Sequence, residues 1–457
     1  MGFYNGFMGN IMLPIYDIYR GTSRFRCGRI LQKSQWLCRE DIERIQKRNL
    51  RHIIDHAYRT VPYYRKTFKK NGLKSTDIKC VGDLTKLPIL TKNDVRTYSH
   101  DLVSRGYPQQ RLVPYRSGGS GDQVRFLVTK DQLSWEIAAE YRAYGWAGYH
   151  LGDRCFMFWA SPVDLSKYDG FQKRFAGKLE NVFVGNTYVM SGDVMKGFAN
   201  SLSRFNPQII RGYASSVYMM AKYMLQNGID CIRPRSVITS AETLFKPMRD
   251  VIEEAFACPV FDYYASREIG GVAAECEEHS GYHISMENVV VEFVKDGEPV
   301  SSGEKGVVLL TSLRNFGMPF IRYKIGDVGV PSDEQCECGR GLSLVQNIEG
   351  RTSDFMARYD DKLDAVVPVG PIYPVIITAL MKLPLRNVRV EQTALNKLVI
   401  KAVKEKTYSE KDTRSLADYV HKYLGNDVEV EIDFVDYLPP QPSGKRASFI
   451  SRINAFE

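Results

Sequence analysis

The hydrophobic pattern changes period near residue 288, and that change limits the folds open to this chain. Before it, short apolar runs alternate with amphipathic stretches. Residues 153–159, Ile209-Ile210 and residues 236–239 read as buried strands, while residues 131–147, 216–226 and 247–256 carry helical spacing. Strands alternating with helices predict α/β layers built on parallel sheets. From residue 288 the runs NVVVEF, GVVLLTS and FIRYKIGD are Val- and Ile-rich, with turns at Gly297 and Gly303, which predicts a β-rich, mostly antiparallel part. Beyond Arg351, residues 386–403 and 428–435 read as strands and residues 409–424 as a helix. The expectation is a large N-terminal domain over 1–350 and a small α+β domain over 351–457.

The length of 457 residues fits two to four domains at about 100–200 residues each. Hydrophobic residues at 44% and charged residues at 25% exclude a disordered or collagen-like chain. No run of about 18 apolar residues exists to cross a bilayer. Residues 1–19 are apolar but lack a basic start and contain Pro14 and Asp17, a poor match to a signal peptide. A cytoplasmic location with nine reduced cysteines is therefore expected. The five cysteines before residue 250 are expected to pack as small apolar residues. The net charge of +9 is spread along the chain and suits a solvated surface, an anionic ligand or an anionic surface. No nucleic-acid partner is expected.

Local signals are sharper. Residues 39–60 form an amphipathic helix pattern that Val61-Pro62-Tyr63-Tyr64 should end, and Thr91-x-x-Asp94 has the form of a capping box. Tyr115-Arg-Ser-Gly-Gly-Ser-Gly-Asp122 is rich in glycine and serine and precedes the strand-like Val124-Arg-Phe-Leu-Val128. Such a loop can close backbone N–H groups around a phosphate, and it can equally be a flexible turn. No Gly-Lys-Ser/Thr follows, so it is not a Walker loop. Cys276, His283, Cys336 and Cys338 offer three thiolates and an imidazole, the donor set of a closed zinc site, with His279 as a rival ligand. Three thiols are too few for a common iron–sulfur cluster. Three more segments combine glycine, charge and aromatics: Tyr263-Tyr-Ala-Ser-Arg-Glu268, Arg322-Tyr-Lys-Ile-Gly-Asp327, and Gln441-Pro-Ser-Gly-Lys445. Asp327 is expected at a strand end.

The order of these motifs resembles the adenylate-forming ligase superfamily, and within it the phenylacetate–CoA ligase branch and its CapK-like proteins. The resemblance rests on Tyr115–Asp122, Arg211-Gly-Tyr-Ala-Ser215, Ser240-Ala-Glu242, Tyr264–Glu268, Thr311-Ser-Leu with Pro319–Asp327, Gly350-Arg351 and Ser443-Gly-Lys445. It spans nearly the whole chain. It implies an α/β adenylate-forming ligase fold with a mobile C-terminal lid. The implied activity joins a small carboxylic acid to ATP, releases pyrophosphate, and passes the acyl group from AMP to an acceptor. That acceptor is the CoA thiol, or an amine or hydroxyl in surface polysaccharide assembly. By the resemblance, Glu268 holds Mg²⁺, Lys445 meets the α-phosphate and carboxylate, Asp327 the ribose, Tyr264 the adenine, and Arg351 the ribose or phosphate. Ser240, Ala241 and Glu242 run along the nucleotide pocket, and Ser117, Gly118, Gly119, Ser120 and Gly121 close around the outer phosphates. The branch often carries a zinc knuckle where Cys276, His283, Cys336 and Cys338 stand.

There are departures from the pattern. The loop ends Asp122-Gln123 where the family has Lys-Pro, and Gly119 replaces a hydroxyl residue; Arg116 or Arg125 could offset Asp122. Ala265 stands for a glycine, and Gly350-Arg351-Thr352-Ser353-Asp354 lacks one acidic residue. Trp135, Tyr141, Tyr144, Trp146 and Tyr213 are read mostly as core, with the acid pocket as the other reading. A basic chain also suits contact with a membrane surface. The competing function is a non-catalytic nucleotide-binding or scaffold protein, favoured by Asp122 and opposed by Glu268 and Lys445.

Overall fold

The computed structural model describes residues 3–117, 124–159, 181–187, 190–351, 355–360, 365–371, 383–424, 428–439, 449–451 and 453. Two compact units are present: residues 1–325 with 329–348, and residues 326–328 with 349–457.

An antiparallel ribbon comes first, β1 (Leu112–Ser117) and β2 (Val124–Thr129). Next are β3 (Cys155–Trp159), β4 (Val182–Asn186), β5 (Ile209–Tyr213), β6 (Ser236–Ser240) and β7 (Val260–Ser266). These five pair in parallel, in the order β4-β3-β5-β6-β7. Helices Gly192–Phe205, Ala214–Gln226 and Lys246–Phe256 connect them, as the alternating pattern requires. The β-rich part does not form a separate layer. A short turn after β7 leads into β8 (Gly270–Glu275), which pairs antiparallel with β7. The same sheet continues through β9 (Tyr282–Ile284), β10 (Val289–Lys295), β11 (Glu298–Pro299), β12 (Gly306–Ser312), β13 (Tyr323–Ser332) and β14 (Leu344–Arg351). Its order, β11-β10-β12-β13-β14-β9-β8-β7-β6-β5-β3-β4, makes one mixed sheet of twelve strands among the described residues.

The helix Arg39–Thr60 buries Ile42, Leu50, Ile53 and Ile54 in a core shared with Val289, Leu310 and Tyr323. Pro62 ends this helix but also opens the next one, Pro62–Lys70, because a proline at the first helical position gives up no hydrogen bond. Thr91 and Asp94 form the reciprocal cap expected of them. Cys38 and Cys80 are exposed, against expectation, while Cys27 and Cys155 are buried. Asp327 is not at a strand end. Gly326 takes a φ of +90° and the strand runs on, burying Val328 and Val330.

In the second unit, β15 (Phe355–Asp360) and β16 (Ala365–Pro371) pair as a ribbon. A four-stranded sheet follows, from β17 (Leu385–Ala394), β18 (Lys397–Lys404), β19 (Glu429–Phe434) and β20 (Phe449–Ser451), in the order β19-β18-β17-β20. The run read as one strand, 386–403, is a hairpin turning at Leu395-Asn396. Val390, Leu398, Ile400 and Phe449 share its core with Leu416 of helix Glu410–Leu424. Among the described residues no helix is long and apolar enough to cross a membrane.

Candidate active site

In a sheet with parallel strands, ligands gather at the carboxyl ends of those strands. Here Tyr213, Ser240 and Tyr263 lie in one row across β5, β6 and β7 at that edge. Ser240 Oγ donates to the Tyr263 carbonyl at 2.8 Å. Ala241 follows with φ +71°, a left-handed backbone that a Cβ disfavours and that occurs at functional turns. Glu242 accepts the Ser215 N–H at 2.9 Å and so caps the helix beginning at Ala214. Tyr264, half-buried, is the next residue along β7.

Glu268 stands in the β7–β8 turn and is 5% exposed. Its Oε1 accepts from Ser117 Oγ at 2.5 Å and from Tyr323 Oη at 3.2 Å, and its carbonyl accepts from Gln132 Nε2 at 3.2 Å. Three distant segments thus converge on Glu268, two of them on its carboxylate. Gly270 lets the turn close: its φ is +92°, and a Cβ there would lie 2.5 Å from Glu136 Cγ. A nearly buried carboxylate held by two hydroxyl donors is a hard-oxygen donor of the kind Mg²⁺ takes, usually one or two per site.

Ser117 ends β1, at the mouth of the glycine-rich loop. Gly118, Gly119, Ser120, Gly121, Asp122 and Gln123 lie outside the described residues, as do Lys445 and Thr352–Asp354. At the loop's base, Arg116 and Arg125 are exposed cross-strand partners. Like charges placed opposite each other repel, which an anion between them relieves. Asp327 is buried, and Arg351 Nε is 3.6 Å from its Oδ1. Both lie in stretches assigned to the second unit.

The aromatic residues resolve mainly into core. Tyr144 and Tyr213 are buried. Trp135 lies under Arg314 at 3.7 Å, and Trp146 packs edge-on to His283. Sequence reasoning missed a polar triad below the parallel edge. Arg211 Nη2 donates to Glu140 at 2.8 Å and to Tyr144 Oη at 2.6 Å, and Tyr144 Oη donates to Glu140 at 2.6 Å. Burial pushes the Tyr144 hydroxyl well above the usual tyrosine range, so it stays a donor. Tyr323 was also missed as a Glu268 partner. Its place four residues before Asp327 was the available signal.

The cysteine–histidine set does assemble. One donor atom from each of Cys276, His283, Cys336 and Cys338 lies within 4.8 Å of all the others. Cys276 Sγ is 3.6 Å from Cys336 Sγ, and Cys338 Sγ is 3.3 Å from His283 Nε2. A tetrahedron with bonds of about 2.0–2.3 Å has edges of about 3.3–3.8 Å, so the donor set fits zinc. Burial holds His283 down to about 4, in the neutral form that ligates. Burial also pushes the Cys276 thiol up, and a divalent cation would reverse that cost. The rival His279 turns away, with Nδ1 3.4 Å from Glu275. Arg340 seals the site. It lies 4.8 Å from the Trp36 ring and 5.0 Å from the Trp146 ring, and donates to Glu277 at 3.0 Å.

The chain is 23% identical over 418 residues to protein CapK of Staphylococcus aureus, covering 90% of each chain. It is 26% identical over 359 residues to phenylacetate-coenzyme A ligase of Thermus thermophilus, covering 75% of this chain and 79% of that one. The family model of the CapK C-terminal domain matches residues 375–452. By sequence the chain is similar to protein CapK and to phenylacetate-coenzyme A ligases over most of its length. Its fold agrees with that similarity. The crystal structure of 2-hydroxyisobutyryl-CoA ligase in its postadenylation state superposes with a TM-score of 0.72 at 16% identity, over 93% of this chain and 92% of that one. An amide bond synthetase from Marinactinospora thermotolerans gives 0.51 at 17% identity, over 76% and 70%. The two sequence relatives place this chain beside CapK and the phenylacetate–CoA ligases.

Proposed function

We propose that this protein activates a carboxylic acid with ATP as an acyl-adenylate and passes the acyl group to the thiol of CoA. The observation that carries the reading is Glu268. It is fixed by Ser117, at the mouth of the phosphate loop, and by Tyr323, on the strand that bears Asp327.

A carboxylate and a triphosphate repel each other, so the site must neutralise charge and align the attack on the α-phosphorus. Glu268 would hold Mg²⁺, which supplies charge neutralisation at the phosphates when bound. Ser117 and Tyr323 orient the Glu268 carboxylate, and Arg116 with Arg125 adds positive charge at the loop's base, offsetting Asp122. Tyr264 and the Ser240–Glu242 turn border the nucleotide, and Asp327 accepts from the ribose hydroxyls. Lys445, on the C-terminal unit, brings its charge to the α-phosphate in the first half-reaction. The Cys276, His283, Cys336 and Cys338 set would hold zinc, which ties three chain segments together and takes no part in the chemistry. Both steps draw on ATP and CoA in the cytoplasm. A second acceptor, a sugar amine or hydroxyl, rests on the resemblance to CapK-like proteins alone.

The test is pyrophosphate exchange into ATP over a panel of carboxylic acids, followed by trapping the acyl group with CoA or with amino sugars. Exchange with at least one acid, lost in Glu268→Gln, is expected. No exchange with any acid, despite tight ATP binding, would favour the non-catalytic nucleotide-binding reading.

A further inference from the structure

The N-terminal segment is helical from residue 3 to residue 20, with a π-helical turn at Met8–Met12 between Phe3–Phe7 and Leu13–Arg20. It is tied to the body at both ends. Asn5 Nδ2 donates to Asp153 at 2.8 Å and to the Leu151 carbonyl at 3.1 Å. Asp17 is buried and accepts from Thr22 Oγ1 at 2.7 Å, Arg24 Nε at 2.9 Å and the Phe25 N–H at 2.7 Å. Met8 is buried, and Gly9 and Leu13 line a groove of about 400 Å³ against the helix Arg24–Ser34.

A helix so anchored should turn its apolar residues inward. This one turns a stripe outward. Phe7, Ile11, Ile15, Ile18 and Tyr19 follow one another at steps of three, four or one residue, and all are exposed, Ile18 at 83% and Tyr19 at 82%. The end of this helix and the helix that follows are basic: Arg20, Arg26, Arg29 and Lys33 are exposed, Arg29 and Lys33 at the groove, and Asp17, buried in its own ion pair, is the sole acidic residue between positions 3 and 39.

An apolar face beside arginines and lysine has the chemistry of a helix lying in the headgroup region of an anionic bilayer. A second copy of this chain fits worse. A two-fold contact through this face would bring the same positive charges together. We propose that helix 3–20 is a peripheral docking surface for anionic lipid bilayers. Ile11, Ile15, Ile18 and Tyr19 enter the acyl boundary while Arg20, Arg26, Arg29 and Lys33 meet phosphate headgroups. The inference does not depend on the acid or acceptor proposed above. It would place the acyl-transfer reaction at a membrane, where a lipid-linked acceptor is concentrated.

Flotation of the full chain with vesicles tests it. Vesicles of phosphatidylcholine with about 30% phosphatidylglycerol should carry the protein, vesicles of phosphatidylcholine alone should carry far less, and added salt should weaken the binding. The pair Ile15→Asp with Ile18→Asp, and separately Arg26→Glu with Arg29→Glu, should each lower partitioning roughly tenfold or more. A thermal unfolding midpoint matching wild type shows that each variant folds. The proposal is overturned if wild-type protein stays off the anionic vesicles, or if folded variants float as wild type does. It is likewise overturned if light scattering finds a dimer that Ile15→Asp with Ile18→Asp converts to monomer without lipid binding, which assigns the face to a second copy.

Discussion

Glu268 stands just before strand β8 and Cys276 just after it, so one strand of six residues, about 20 Å long, separates two polar clusters. At the Glu268 end the donors are hard oxygens. One carboxylate is gripped by Ser117 and Tyr323. At the Cys276 end the donors are three sulfurs and one imidazole nitrogen, close enough together to satisfy one ion, with Arg340 and two tryptophans over them. The first cluster offers one carboxylate, too few donors to enclose an ion by itself. The second is closed. An open oxygen site suits turnover, and a closed thiolate site suits holding the fold. On the function proposed above, the same hairpin would serve chemistry at one end and stability at the other.

The largest expected effect tests the open end. Glu268→Gln keeps the shape and removes the charge. Pyrophosphate exchange should fall by on the order of 10²–10³ while ATP binding without metal changes little. Exchange at the wild-type rate would make Glu268 a structural residue and erase the contrast between the two ends.

Lys445 sharpens the same point from the other unit. Lys445→Ala should slow acyl-adenylate formation by on the order of 10²–10³, the cost of losing a transition-state contact. Transfer from a prepared acyl-adenylate should stay near wild type, since the mobile lid that the resemblance implies would carry this residue away in the second step. Equal losses in both steps would mean that the lid does not exchange poses.

Much of this was legible in the sequence, and the reasons are local. The alternation before residue 288 reported parallel strands because strands buried on both faces read as short apolar runs, and Thr91 with Asp94 reported a cap because both partners lie within one turn. Motif order singled out Glu268 and Asp327, and donor type singled out the cysteine–histidine set, whose atoms the fold brings together. What escaped was set by tertiary contact. Strand β1 contains Pro114 and alternates weakly, so its pairing with β2 was invisible; a two-stranded ribbon tolerates proline on its free edge. Tyr323 meets Glu268 across 55 residues, and Arg211 meets Glu140 across 71, separations at which no period exists. The joining of parallel and antiparallel parts into one sheet depended on the short turn before Gly270, whose positive φ is a backbone property.

A smaller effect tests the closed end. Cys338→Ser should leave the protein without its zinc and destabilise it by on the order of 4 kcal/mol, the scale of losing a structural metal site. Exchange activity per folded molecule should remain near wild type. Full zinc content in this variant, by elemental analysis, would mean the ligand set is wrong. Activity lost in step with zinc while the fold persists would mean the closed end takes part in chemistry after all.

The smallest effect concerns the strand pair beside the Cys276 end, where Asp262 meets Glu275. Asp262 of β7 is buried and accepts from Thr239 Oγ1 at 2.6 Å and Tyr282 Oη at 2.9 Å. Its own N–H donates to Glu275 at 2.8 Å, and Glu275 takes two bonds from Arg249, at 2.6 and 2.8 Å. Burial, and then the charge of Glu275, push Asp262 up to about 7 from 3.8. Burial also opposes the charge on Glu275, but His279 and Arg249 outweigh it and hold Glu275 below the usual range. One carboxylate of the pair thus keeps its charge and the other keeps a proton. The folded state binds that proton where the unfolded chain has already released it. Asp262 therefore contributes stability fully below about pH 4 and loses it as pH rises toward 7. Asp262→Asn has no such proton to lose and can still accept one hydroxyl bond. Measured by urea unfolding, the variant should gain on wild type by on the order of 2 kcal/mol between pH 4 and pH 7. A flat difference across that interval would show Asp262 charged throughout, with Arg249 serving both carboxylates. The strand pair next to the closed cluster would then hold an ion-pair network instead of a proton store.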